Sequence, residues 1–175
     1  MSNNPRFPPS SDRGLSSRAV LIVLFPGFQI VDAAGPIGAF EVASRFAPGA
    51  YTLRTAAGAA GLVPSSSGVP MPAEALNARA KVDTFIVVGG DGTREALSDA
   101  ALLRAIARAP WRARRVASVC SGAFLLAQAG LLDGKRATTH WRRAAQLAQM
   151  FPSVRVEADC IYVKDGAVWT SAGVT

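Results

Sequence analysis

The chain has 175 residues but only two cysteines and one histidine. That scarcity excludes much. Cys120 and Cys160 lie forty positions apart, with no Cys-x-x-Cys pair and too few neighbouring ligands for a structural zinc. A disulfide scaffold is excluded too, and the usage suits a reducing cytosol. No metal and no cofactor is expected. Lysine is scarce, so arginine carries most of the net charge of +7. A basic balance can signal nucleic acid, an acidic ligand or a membrane surface. Here the arginines are dispersed. The densest run is Arg108, Arg112, Arg114 and Arg115 around Trp111, and it lacks the interleaved aromatics of a single-strand binder. A solvated surface before a strand explains it.

Long apolar runs are also missing. Arg18 followed by Ala19 to Phe25 imitates the start of a signal peptide, but Pro26-Gly27 ends the run early. No segment reaches the length of a membrane span. What remains is a chain half of whose residues are hydrophobic, enough for one core without staples.

Residues 1–18 are rich in Ser, Pro, Asn and Arg and lack periodicity, so a disordered tail is expected there. Beyond it, strands alternate with helices. Ala19–Phe25 has the continuous apolar character of a strand buried on both faces. A loop over residues 26–36 and a helix over Ile37–Phe46 follow. Tyr51–Ala56 is the second strand, and residues 57–72 hold short strands in an irregular crossing. Val82–Val88 is another buried strand, ended by Gly89-Gly90-Asp91-Gly92. Asp99–Ala109 carries helical periodicity, with Leu102, Leu103 and Ile106 on one face. Arg115–Val119 is a strand that runs into Cys120-Ser121-Gly122 and a helix over Ala123–Ala129, with Gly130 as C-cap. Trp141–Met150 is a further helix. Val154–Val156, Ile161–Val163 and Val168–Thr170 are late strands, the last two joined at Asp165-Gly166. Repeated strand–helix units predict a mostly parallel sheet with helices on both faces.

The strongest chemistry lies in RRVASVCSGAFLLAQAGLLDG. A buried strand delivers Cys120 into a turn whose neighbours, Ser121 and Gly122, are small. This is a nucleophile-elbow pattern with cysteine in place of serine. A thiol at a helix N-terminus should have a lowered pKa. The plain alternative is a small buried hydrophobe at a strand end. His140 is the one candidate imidazole base, although a histidine between Thr139 and a helix can simply cap that helix. Gly89 and Gly90 end the neighbouring strand and could aim N–H groups at a developing oxyanion, with the Ser121 N–H as partner. Asp32 is the candidate acid beside the thiol, or else the N-cap of the first helix.

FIVVGGDGT also resembles the nucleotide-binding turn of the diacylglycerol kinase and NAD kinase superfamily. The Asn-Pro turn and the acidic motifs of those kinases are absent, so the match stands alone. A glycine-rich turn shaping the cysteine pocket explains it as well.

Taken together, VLFPGFQIVDAAGP, FIVVGGDG, VASVCSGAFLLAQAGLLDGKRATTHW and VWTSAGVT resemble the ThiJ/PfpI branch of class I glutamine amidotransferase-like proteins. More narrowly, they resemble the N-terminal domain of GlxA-type regulators of the AraC family. The resemblance spans residues 19–175 and implies a flavodoxin-like three-layer sandwich that dimerises. It implies a domain sensing a small amide-like or nitrogen-containing ligand in a cytoplasmic regulator, with DNA bound only through a separate helix-turn-helix pair. It also implies site roles for Cys120, His140 and Asp32. Residues 19–175 contain no helix-turn-helix, and the segment TSAGVT should open a helix that does not follow, so a fragment is expected. Isonitrile hydratase-like enzymes share the same pieces. A stand-alone cysteine hydratase or amidase is therefore the alternative, and whether the chain is an enzyme stays open at this point.

Overall fold

A computed structural model describes residues 17–77 and 79–173. The expected tail falls mostly outside them, as do the last two residues of TSAGVT. Ser17 and Arg18 are described, and Arg18 already belongs to the first strand.

The strands are β1 (Arg18–Val23), β2 (Tyr51–Ala57), β3 (Gly61–Pro64), β4 (Pro70–Ala75), β5 (Val82–Val87) and β6 (Ala113–Val119), then β7 (Arg136–Ala137), β8 (Arg155–Val156), β9 (Tyr162–Asp165) and β10 (Val168–Ser171). The helices are α1 (Ile30–Phe46), α2 (Thr93–Ala96), α3 (Ala100–Ala107), α4 (Gly122–Gln128) and α5 (Ala144–Met150). Eight strands form one sheet in the order β3-β4-β2-β1-β5-β6-β10-β9, and β7 pairs with β8 apart from it. All pairings in the large sheet are parallel except β3 with β4 and β9 with β10. The fold is thus the expected flavodoxin-like α/β sandwich.

The central strands explain the sequence pattern. β1 and β5 are nearly continuous apolar runs because both of their faces are buried. Their neighbours alternate, so β6 sends Val116 and Ser118 to one face and Arg115, Ala117 and Val119 to the other. α3 and α4 pack on the first face, through the buried Leu102, Ile106, Phe124, Leu125 and Leu126. α1 lies on the second, where the Arg115 guanidinium sits 5.8 Å from the Phe40 ring centroid and Phe40 meets Tyr51 edge-on. α4 ends in a Schellman motif: the Gly130 N–H donates to Ala127 and the Leu131 N–H to Leu126. Gly130 takes a φ of 76°, as that motif requires.

Several boundaries differ from expectation. α1 begins at Ile30 rather than Ile37 and carries Pro36 inside it. A proline lacks the N–H that closes a helical turn, and this made the segment look like a loop. The expected helix over Trp141–Met150 divides into a 3-10 turn at Trp141–Arg143 and then α5. The arginine run is less free than expected. Arg114 forms a two-bond pair with Asp83, and Arg112 donates to the carbonyls of Asn77, Ala105 and Arg108.

Candidate functional site

Strand order reverses at β1, which has β2 on one side and β5 on the other. Ligand crevices of open α/β sheets form at such a switch point, beyond the C-terminal strand ends. The segments after β1, β5 and β6 meet there, and they carry Asp32, Gly89-Gly90 and Cys120 respectively.

Cys120 is the one non-glycine residue with positive φ among the described residues, at 55°. An L-residue is held in that region only when its surroundings over-determine it. Here they do. The Cys120 N–H donates to Ser171 of β10 at 2.9 Å, and its carbonyl accepts from the Thr139 hydroxyl at 2.8 Å. The strand, the sharp turn and α4 therefore make the expected elbow.

Asp32 sits in the first turn of α1 and is 1% exposed. It is not the N-cap, which is Gln29. Instead its Oδ2 accepts from the Gly89 N–H at 3.1 Å, while Oδ1 is buried without a hydrogen-bond partner. Gly89 makes this approach possible. A Cβ there would lie 2.6 Å from the Ser121 nitrogen and 2.9 Å from Asp32 Oδ2.

The electrostatics run against the sequence expectation. Burial, and next the Asp32 charge, push the Cys120 thiol up to about 11. The Ser121 N–H and hydroxyl pull the other way and are outweighed. Burial also raises the Asp32 carboxyl, against the pull of the Gly89 N–H, the thiol and His140. Each of the two acids thus loses its proton at a higher pH than it would in water. The lowered thiol pKa expected from the helix N-terminus is therefore overturned: loss of water costs the thiolate more than one short helical turn returns.

Of the three N–H groups expected to face an oxyanion, two are engaged elsewhere, and only that of Ser121 is left beside the thiol. That of Gly89 goes to Asp32, and that of Gly90 donates to Ser121 Oγ at 3.0 Å. Thr93, which sequence reading missed, locks the same corner, with its hydroxyl 2.6 Å from the Gly90 carbonyl and 2.8 Å from Ser121 Oγ.

His140 does line the cavity with Cys120. Its Nδ1 accepts from the Arg142 N–H at 3.2 Å, capping the 3-10 turn as the plainer reading had it. That bond assigns the neutral ring to the Nε2–H tautomer. The remaining nitrogen is then a donor, and a neutral His140 offers the cavity a proton rather than a lone pair. The cavity is about 350 Å³ and is lined by Gln29, Gly90, Asp91, Cys120, Ser121, His140, Arg142 and Arg143. Gln29 and the two arginines have no sequence signature; only the folding of α1 and of the Trp141–Arg143 turn brings them here. Among the described residues no group of acidic, histidine and cysteine side chains could hold a metal.

Residues 18–175 match the model of the DJ-1/PfpI family. The uncharacterized protein of the cpoL 5′ region of Streptomyces lividans is 42% identical over 135 residues, covering 77% of this chain and 95% of that protein. The HTH-type transcriptional regulator CdhR of Pseudomonas aeruginosa is 30% identical over 154 residues, 87% of this chain and 45% of CdhR. The isonitrile hydratase of Pseudomonas putida is 35% identical over 115 residues, 65% of this chain and 49% of the enzyme. The chain thus spans about half the length of those last two. Among solved structures, a ThiJ/PfpI family protein from Pseudomonas syringae superposes with a TM-score of 0.81 at 28% identity, covering 98% of this chain and 69% of that one.

Proposed function

Because the chain belongs to the DJ-1/PfpI family, we propose that it is the small-molecule-sensing domain of an AraC-type transcriptional regulator. DNA is then contacted through a helix-turn-helix unit outside residues 19–175. The observation that carries this reading is the packing around the cysteine: the Gly89 N–H is held by Asp32 and the Gly90 N–H by Ser121 Oγ, so neither glycine donor is free to face an oxyanion. A thiol raised to about 11 beside a buried carboxyl is a poor nucleophile at neutral pH. The two glycine N–H groups beside it are occupied, and its histidine presents an N–H. Such a cavity binds better than it reacts. Similarity to a regulator over most of this chain supports the same reading.

In this reading Cys120, Ser121, Gly90 and His140 contact the ligand, which is small and carries an amide-like or other nitrogen-containing group. Asp32 and Gly89 position the thiol from beneath. The protein acts in the cytoplasm, where free cysteines stay reduced. It works as a homodimer, and the outward side of α1 offers Val31, Val42 and Phe46, all exposed, for that contact. No helix among the described residues is long and apolar enough to cross a membrane.

A second reading, a cysteine-dependent hydratase, is favoured by the match to isonitrile hydratase and by the strained elbow. One experiment separates them. Incubated with an aliphatic isonitrile, the chain should yield no N-substituted formamide above the buffer rate. Formamide production that disappears in Cys120→Ser would establish the enzyme and end the sensor-only reading.

A further inference from the structure

We infer that the cavity over Cys120 takes a small carboxylate, held at its rim by Arg142 and Arg143, with the neutral polar end of the same molecule turned to the thiol. This rests on the cavity being a ligand site, as proposed above, and names the class of ligand.

The two arginines are placed but not neutralised. The Arg143 guanidinium lies 4.9 Å from the ring centroid of the fully buried Phe124, and its Nε donates to Gln146 at 2.6 Å. Its two Nη groups have no acceptor among the described residues. The Arg142 guanidinium lies 4.9 Å from the Trp141 ring centroid and makes no side-chain hydrogen bond among them. Neither has a carboxylate partner among the described residues, so the charge of both is open to a ligand. Planar forks held on aromatic faces suit bidentate recognition of a carboxylate.

The rest of the wall agrees. The Gln29 carbonyl accepts from the Ser66 hydroxyl at 3.0 Å, so its amide N–H₂ is left for the cavity. His140 offers Nε2–H. Against these donors the lining contributes one carboxylate, the exposed Asp91. A surface so rich in donors recognises a molecule rich in acceptors.

The charge gradient sets the orientation. Asp32 lies beneath the thiol, so a negative group is repelled from the floor and drawn to the arginine rim. An acceptor that is not charged, such as an amide carbonyl, fits between Cys120 and His140. A volume of about 350 Å³ is at the small end for ligand sites, which limits the molecule to amino-acid size.

Iodoacetate and iodoacetamide test this, since they are near-isosteric and differ in charge. Both need the same thiolate, so the ratio of their rates at Cys120, followed by peptide mass spectrometry, is independent of the thiol pKa. In Arg142→Gln/Arg143→Gln that ratio should fall about tenfold, the scale of electrostatic focusing in a charged cleft. An unchanged ratio overturns the inference. Wild-type protein gives a second, variant-free arm: N-acetylglycine should slow iodoacetamide labelling of Cys120, and the neutral N-acetylglycinamide should not. Equal effects of the two, or none, overturn it as well. If neither reagent reaches Cys120 at any pH, the accessible pocket itself is wrong, and that outcome is distinct from a failure of carboxylate selectivity.

Discussion

Replacing Asp32 by Asn tests the effect of the carboxyl on the thiol. The charge of the carboxyl accounts for the second-largest upward push on the Cys120 thiol. Burial, the largest push, is untouched by an isosteric amide. The thiol should therefore titrate below about 11 in Asp32→Asn but stay above 9.0, the value of a thiol in water. Two pH units bound the effect, so the thiolate fraction at pH 8 rises by at most about a hundredfold. The assay is the pH profile of iodoacetamide labelling at Cys120, read by peptide mass so that Cys160 is kept apart. An inflection that stays near 11 would show that Asp32 does not govern the thiol, and the site described above would need another acid.

Stability should follow the same titration. The folded thiol holds its proton to a higher pH than the unfolded one. Its contribution is therefore full below the unfolded pKa near 9 and is lost as pH rises toward 11, by less than about 3 kcal/mol in all. The Asp32 carboxyl is raised as well, so its contribution is present at acid pH and lost on ionisation. At pH 7 Asp32→Asn should consequently unfold at a higher urea concentration than wild type, provided its amide oxygen keeps the Gly89 bond. A lower midpoint would mean that the carboxylate holds more of the fold than its single backbone bond shows.

Gly89→Ala should lower stability by about 2–3 kcal/mol, because the added methyl meets Ser121 backbone at 2.6 Å and overpacked cores cost on that scale. Gly38→Ala in α1, where nothing lies within 4 Å, is the control and should gain up to about 1 kcal/mol from helix propensity; thermal melts that rank the two the other way would refute the close approach at Gly89. Sedimentation should give twice the chain mass, falling to one chain in Val42→Glu/Phe46→Glu; a wild-type monomer would end the homodimer reading.

Much of the fold is legible in the sequence because burial on both faces leaves a mark. β1, β5 and the strand before Cys120 are apolar where both sides are covered, and the small residues at Ser121 and Gly122 announce the elbow. Gly89 and Gly90 are visible as a strand end for the same reason. What could not be read was anything set by a long-range partner. Pro36 concealed the first two turns of α1, and so concealed that Gln29 caps the helix and faces the cavity. Arg142 and Arg143 sit in an arginine-rich chain and look like solvated charge until the turn after His140 places them over Cys120. The thiol pKa failed for a related reason. Helix position is local and can be read from sequence, whereas desolvation and the Asp32 charge come from residues far along the chain.

That failure bears on function. A strained elbow raises the cost of the folded state by order 1–3 kcal/mol, and a chain with no use for it would relax the turn. Here the strain is retained while the activating features of a nucleophile are absent: the thiol is raised, the glycine N–H groups are occupied, and the imidazole is a donor. Retained geometry without activation fits a pocket that must present one polarisable, hydrogen-bonding sulfur at a fixed point to a ligand. It fits turnover only if ligand binding first strips Asp32 of its charge or frees the Gly90 N–H from Ser121.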